Sequence, residues 1–147
     1  MDNRWARPDI KTTQLLPNVL AKTEANKKNA YEAIFVDNDG FITEGSSSNI
    51  WIYNYEKEII TREIDGKILS GITRKSILEF AKNKKIKVVE RKFSKKELYK
   101  SKEVFLTSAS SFVTPIVKID ENKINDGKVG NMSIELRNLY LRNFINK

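Results

Sequence analysis

Glu32-Ala33-Ile34-Phe35-Val36-Asp37-Asn38-Asp39-Gly40-Phe41 is the stretch whose reading decides the fold class. Its first six residues centre on a β-branched and aromatic run that favours a strand, and Asn38-Asp39-Gly40 supplies the residue types that accept the positive φ of a tight hairpin turn. A return strand from Phe41 follows. Further along, 49–55 and 58–62 read as another strand pair, 86–91 as a strand, and 104–107 and 113–119 as β-rich. Between them lie segments of helical period. Residues 14–28 carry Leu15, Leu16, Val19, Leu20 and Thr23 on one stripe, with Pro17 tolerable only in a first turn. Residues 72–83 turn Ile72, Ile77, Leu78, Phe80 and Ala81 inward, and 132–145 align Met132, Leu136, Leu139, Tyr140 and Phe144. Ser94-Lys95-Lys96-Glu97 has capping-box spacing, so a short helix starts there. Early hairpins with interspersed helices predict an α+β or α/β domain on a mixed sheet.

The 147 residues suffice for one sizeable core, and neither a repeat, a low-complexity tract nor a Pro/Gly/Ser-rich linker divides them, so 1–147 is expected to be a single domain. With 39% hydrophobic and 10% aromatic residues, the chain is of a folded, globular kind. No run approaches the about 18 consecutive apolar residues of a bilayer span, and Met1-Asp2-Asn3-Arg4-Trp5 lacks the apolar core of a signal peptide, so a cytoplasmic location is expected. The absence of cysteine excludes disulfides, thiolate metal sites and thiol catalysis; the absence of histidine removes imidazole bases and the commonest metal ligand. No metal site is expected. Chemistry is left to Lys, Asp, Glu, Ser, Thr, Tyr or a cofactor.

Four polar, small-residue stretches interrupt the elements. In Arg7-Pro8-Asp9-Ile10-Lys11-Thr12-Thr13, Lys11 falls in an expected strand just ahead of a helix, where it is either an edge charge or a functional amine. Thr43-Glu44-Gly45-Ser46-Ser47-Ser48-Asn49 sets one carboxylate among small residues at a strand end, which by itself is also an ordinary loop. Leu69-Ser70-Gly71-Ile72-Thr73-Arg74 opens a helix, whose free N–H groups and positive dipole end favour an anion, although capping alone explains it. Thr107-Ser108-Ala109-Ser110-Ser111 follows an apolar strand and either offers hydroxyls and amides to an anion or merely turns the chain.

In this order the four stretches cease to look independent. With Val19-Leu20-Ala21-Lys22, Tyr31-Glu32-Ala33-Ile34, Glu103-Val104-Phe105-Leu106, Thr114-Pro115 and Asp126-Gly127-Lys128-Val129-Gly130, the chain closely resembles the class IV pyridoxal-phosphate aminotransferases, the D-amino acid (D-alanine) type more than the branched-chain type. The resemblance runs from about residue 4 to 130. It implies the larger C-terminal domain of the D-amino acid aminotransferase-like fold, a mixed sheet or pseudo-barrel with helices, and transamination between an amino acid and a 2-oxo acid, D-alanine and 2-oxoglutarate foremost. Pyridoxal 5'-phosphate is the implied cofactor. Lys11 would bond to it and shuttle the substrate proton, in a partly desolvated setting supplied by Ile10 and the following helix. Glu44 would keep the pyridine nitrogen protonated, and Leu69 would pack against the ring. Gly71, Ile72 and Thr73 at the helix start, Ser108, Ala109 and Ser110, and the hydroxyls of Ser46, Ser47 and Ser48 would take the phosphate.

The family's N-terminal domain, with the arginine that also grips the phosphate and the D-type's arginine and histidine for the substrate carboxylate, has no counterpart here. Arg4 and Arg7 do not match those positions. A homodimer or a separate N-terminal domain is therefore the expected partner, with little or no activity from the chain alone. The alternatives are a branched-chain aminotransferase or aminodeoxychorismate lyase-like fragment, a non-catalytic association module, and a basic nucleic-acid-binding protein.

The last of these rests on charge: 27 basic residues face 19 acidic ones, and residues 82–102, with ten basic and two acidic side chains, account for the whole excess of +8. Twenty of the 27 are Lys rather than the forked Arg, and Phe93 and Tyr99 are not interleaved as a base-stacking platform requires. This run is read as a solvated face. Nucleic acid should accordingly bind with dissociation constants no tighter than about 10⁻⁶ M near physiological salt and be lost as salt rises. Fluorescence anisotropy over a salt series checks this; tight, sequence-selective binding contradicts it.

Overall fold

A computed structural model describes residues 2, 4, 7–13 and 15–144. In chain order the elements are α1 (Leu16–Lys27), β1 (Ile34–Val36), β2 (Ile42–Gly45), β3 (Asn49–Tyr53), β4 (Glu58–Thr61), α2 (Ile72–Asn83), β5 (Lys87–Glu90), α3 (Lys95–Lys100), β6 (Glu103–Ser108), β7 (Phe112–Ile116), β8 (Lys118–Ile119), β9 (Asn122–Lys123) and α4 (Asn131–Phe144). The expected ends of two helices, Gln14 and Ile145, lie outside the described residues.

β3 reads Asn-Ile-Trp-Ile-Tyr, without the alternation of a half-exposed strand, because both of its faces are covered. β6 pairs with it antiparallel from Asn49↔Thr107 to Tyr53↔Glu103, β4 pairs on its other side, and β2 joins at Glu44↔Asn49. β7 extends the sheet beyond β6, and β1 pairs with β2 through an irregular register. β5 lies parallel to β4, as the crossover through α2 requires. The sheet is thus mixed, and among the described residues the pseudo-barrel stays open rather than closing.

One face packs Ile50, Ile52, Ile60, Val104 and Leu106 against Ile42, Phe93, Leu98 of α3 and Ile124. On the other, Trp51, Ile59, Phe105 and Val113 meet Ile77 of α2 and Leu136 and Tyr140 of α4. Trp51 and Phe105 stack with ring centroids 5.8 Å apart and planes 9° from parallel, and the indole Nε1 donates to Thr107 Oγ1 at 2.9 Å. The hairpin turn has Gly40 at φ +84°, with Asp37 Oδ1 accepting from the Phe41 N–H at 2.9 Å. The capping box at α3 forms as expected, Ser94 Oγ accepting from Glu97 N and Glu97 Oε2 from Ser94 N.

Two expectations change, and one apolar face lies open. The stripe on α1 is not covered: Leu16, Val19 and Leu20 are more than half exposed, Leu15 and Thr23 are exposed as well, and Ala25 is the helix's buried residue. Periodicity marks an apolar face but not what lies against it, and no other described element covers this one. Ile72, expected inward, is 64% exposed, whereas Phe144 at the end of α4, though 54% exposed, stacks on Tyr140 of the expected stripe with ring centroids 4.9 Å apart. Lys11 is not in a strand. It follows a turn closed by Ile10 N to Arg7 O at 3.1 Å, and no strand pairs with it.

Glu103 explains the glycine that precedes α4. Its buried carboxylate accepts from Met132 N (3.0 Å), Ser133 N (2.9 Å) and Ser133 Oγ (2.7 Å), capping the helix from the strand. A Cβ on Gly130 would lie 1.9 Å from Glu103 Cδ. Gly130→Ala should therefore displace the cap and lower stability by about 1 to 3 kcal/mol, read as a lower urea midpoint at unchanged slope. An unaltered midpoint would refute this account.

Candidate functional site

The antiparallel registers bring the end of β2, the start of β3 and the end of β6 to one edge of the sheet. The entry to α2 and the segment before α1 close over that edge and leave a cavity of about 590 Å³, within the range of small-molecule sites. Lys11, Glu44, the three serines 46–48, Leu69, Gly71, Ile72, Thr73, Ser108, Ala109 and Ser110 all line it. Four segments separated by up to a hundred residues thus share one cavity.

Glu44 sits in β2 with only 6% of its surface exposed. Its Oε2 accepts from the Leu69 N–H at 2.9 Å and from Asn49 Nδ2 at 3.2 Å, while Oε1 pairs with Arg4 Nη1. Burial pushes the carboxyl up to about 7, against the opposing pull of the Arg4 guanidinium. Asn49 Nδ2 also donates to Leu69 O at 2.8 Å, and a Cβ on Gly71 would meet Asn49 Oδ1 at 2.5 Å. Only glycine at 71 leaves room for the amide that ties β3 to the entry of α2.

α2 begins at Gly71 with no side-chain cap, so its first N–H groups, those of Ile72 and Thr73, open the helix at the cavity wall. The buried Thr73 hydroxyl donates to Ser108 O at 3.0 Å, which fastens the helix start to the β6–β7 turn. Within that turn Ser108 Oγ bonds Ser111 Oγ at 2.7 Å and accepts from Ser111 N at 3.0 Å, while Ala109 and Ser110 are exposed.

The serines of the β2–β3 loop depart from expectation. Their hydroxyls turn to Glu32: Ser46 Oγ to Oε1, Ser47 Oγ to Oε2 at 2.9 Å and Ser48 Oγ to Oε2 at 3.2 Å. Glu32, with a side chain 5% exposed, requires those donors, and the loop is held in shape by meeting that need. Lys11 also differs from expectation. It is exposed, and Ile10, itself 43% exposed, does not cover it. The turn ahead of Lys11 carries the segment along the cavity mouth instead of into a sheet.

Four contributors escaped the sequence reading: Arg4, Asp2, Asn49 and Glu32. No local pattern marks them, because Arg4 meets a carboxylate forty positions away and Glu32 its serines fourteen to sixteen away. Together the groups at this cavity offer an amine to a carbonyl, a desolvated carboxylate to a cationic nitrogen, and helix-start N–H groups to an anion.

The family model of amino-transferase class IV matches residues 1–119. The chain belongs to the class IV aminotransferases. Among relatives of that class, the D-alanine aminotransferase of Listeria innocua is 39% identical over 144 residues, covering 98% of this chain and 49% of that protein. The branched-chain amino acid aminotransferase of Escherichia coli superposes with a TM-score of 0.88 at 28% identity, over 98% of this chain and 49% of its own. The T.th. branched-chain enzyme solved with pyridoxamine 5'-phosphate gives 0.83 at 34% identity, over 87% of this chain and 42% of its own. The chain spans about half the length of the relatives it matches.

Glu44 makes this class IV chain sensitive to pH. Below about 4.5 folded and unfolded chains both carry its proton; between there and about 7 the unfolded chain releases it and the folded chain keeps it. The stability contributed by this proton is therefore complete below the ordinary carboxylate value and lost as pH rises to about 7. Between pH 4.5 and 7 the parent should lose on the order of 3 kcal/mol more stability than Glu44→Gln, measured by urea unfolding across pH. Parallel profiles for the two would contradict it.

Proposed function

We propose that the chain is the pyridoxal 5'-phosphate-binding half of an aminotransferase, exchanging an amino group between D-alanine and 2-oxoglutarate. The observation that carries this reading is the one cavity in which Lys11, the buried Glu44 and the uncapped start of α2 meet. Those residues fit a pyridine phosphate by their chemistry: a desolvated carboxylate for the ring nitrogen, N–H donors for the phosphate and an amine for the aldehyde. The D-alanine preference is supported by identities of 39% to 44% to D-alanine aminotransferases, above the 26% to 34% found for branched-chain structures.

When bound, pyridoxal phosphate supplies an electron sink that makes the Cα proton of an amino acid removable. Lys11 Nζ would hold the cofactor's aldehyde end and would take and return that proton. Glu44 would hold a proton at the ring nitrogen, and Leu69 would cover the ring. The N–H groups of Ile72 and Thr73, behind Gly71, would take the phosphate together with Ser108, Ala109 and Ser110. Ser46, Ser47 and Ser48 shape the wall through their backbone, since their hydroxyls are engaged by Glu32.

Residues 1–147 act in this reading as one unit, cytoplasmic, with a second copy or a separate N-terminal domain as partner. Support for a partner comes from the apolar face of α1, where Leu16, Val19 and Leu20 are 66%, 57% and 54% exposed. Among the described residues no helix is long and apolar enough to cross a membrane. Cover from a partner would supply the desolvation that Lys11 lacks in the chain alone, so unaided turnover should be little or none. Borohydride reduction of the chain with pyridoxal phosphate, followed by peptide mapping, should place the label on Lys11. Label on another lysine, or none on a chain that has turned yellow, defeats the assignment.

A further inference from the structure

Glu44 poses a problem that its own strand does not solve. A carboxylate taken out of water tends to bind a proton, and a neutral carboxylic acid has no charge with which to hold a cationic partner. The N–H of Leu69 and the amide of Asn49 reach Oε2, but both are neutral. The charged groups around it are few. Arg4 and Asp2 come from the segment ahead of α1, while Lys11 and Arg74 share the cavity wall. Arg74 is directed elsewhere, with Nη2 bonded to Glu90 at 2.6 Å and to Arg62 O at 2.9 Å, and Lys11 is exposed. Lys67, near in sequence to Leu69, lies 3.9 Å from Asp37.

Arg4 is different in kind, for its side chain is only 3% exposed and is held along its whole fork. Nε and Nη2 grip the two oxygens of Asp2 at 2.9 and 2.6 Å, and Nη2 also donates to Lys67 O at 2.9 Å and Thr43 Oγ1 at 3.3 Å. The guanidinium lies 4.8 Å from the centre of the Phe35 ring. Thr43 Oγ1 donates in turn to Asp2 Oδ2 at 2.9 Å, so the seat is closed on itself. Every one of these contacts fixes the plane of the guanidinium and leaves Nη1 on Glu44 Oε1. A guanidinium keeps its charge at any pH the protein meets, and its planar fork can serve two carboxylates at once.

We propose that Arg4, seated by Asp2, is a positioning residue that opposes the burial of Glu44 by favouring its ionised form and directs it into the cavity, so that Glu44 can serve as the counter-charge of a protonated pyridine nitrogen. This rests on the reading of the cavity as a pyridoxal-phosphate site, but the hold of Arg4 on Glu44 is testable without the cofactor. The two-residue motif is not a phosphate grip: its cation faces a carboxylate and is neutralised by a second one.

The test follows the side-chain carboxyl carbon of Glu44 by NMR in the 147-residue chain without cofactor. Arg4→Gln should raise its titration midpoint by at least one pH unit, a tenfold or greater gain in proton affinity, and Arg4→Lys, which keeps the cation but not the fork, should give a smaller rise. With ¹⁵N-labelled pyridoxal 5'-phosphate added, the ring-nitrogen resonance should move towards the unprotonated position in Arg4→Gln and stay nearer the parent in Arg4→Lys. A midpoint that does not move in either variant, with only a lower melting temperature, makes Arg4 a structural pin and overturns the inference. Should Arg4→Gln not fold, the Arg4→Lys midpoint decides alone. Failure of the parent chain to take up the cofactor overturns the aminotransferase reading, whereas the cofactor-free titration still decides the role of Arg4.

Discussion

Burial of β3 on both faces is the constraint from which the rest of the molecule follows. A strand reading Asn-Ile-Trp-Ile-Tyr must be central, so it takes β6 on one side, β4 on the other, and an apolar layer above and below. A slip of one residue would exchange Trp51 for isoleucine against the helices and expose every pair to the wrong layer. The register so enforced sets Asn49 opposite Glu44 and Thr107, and with them decides where the ends of β2 and β6 fall. The cavity is the polar end of an otherwise apolar ladder.

At that end the chain carries groups that a core would exclude. Glu44 and Glu32 are both nearly buried carboxylates, and each has a cation beside it: Glu32 takes three serine hydroxyls and has Lys22 Nζ at 3.8 Å, while Glu44 takes the Arg4 guanidinium and two neutral donors. The difference lies in how the cation is held. Lys22 is partly exposed and beyond hydrogen-bond distance, whereas the buried Arg4 bonds Glu44 directly and so favours its charge, and a charge at a cavity wall can be presented to a ligand. The uncapped start of α2 is a second such group, since a side chain at Gly71 that capped the helix would collide with Asn49.

Much of the fold was readable along the chain because its causes are local. The Asn38-Asp39-Gly40 turn, the capping box at Ser94 and the span of α2 depend on dihedral preferences and on contacts three or four residues apart. The strand expected at Lys11 was not local in this sense. Apolar Ile10 is compatible with a strand, but a strand exists only when another lies beside it, and here the Arg7 turn intervenes. The apolar stripe of α1 is likewise local and legible, but what lies against it is not, because periodicity encodes a direction and not a neighbour.

By itself, then, the sequence determined the main strands and helices, the segment at Lys11 excepted, that a mixed sheet joins them, and which four polar stretches interrupt them, since residue type and spacing act over a few positions. Only the tertiary structure decided that the serine hydroxyls turn to Glu32, that Arg4 reaches Glu44, and that Lys11 stands exposed at the cavity mouth. Those are consequences of buried charges finding partners across the fold. Desolvation sets the demand for a partner, and the register of a distant strand pair sets which one is within reach.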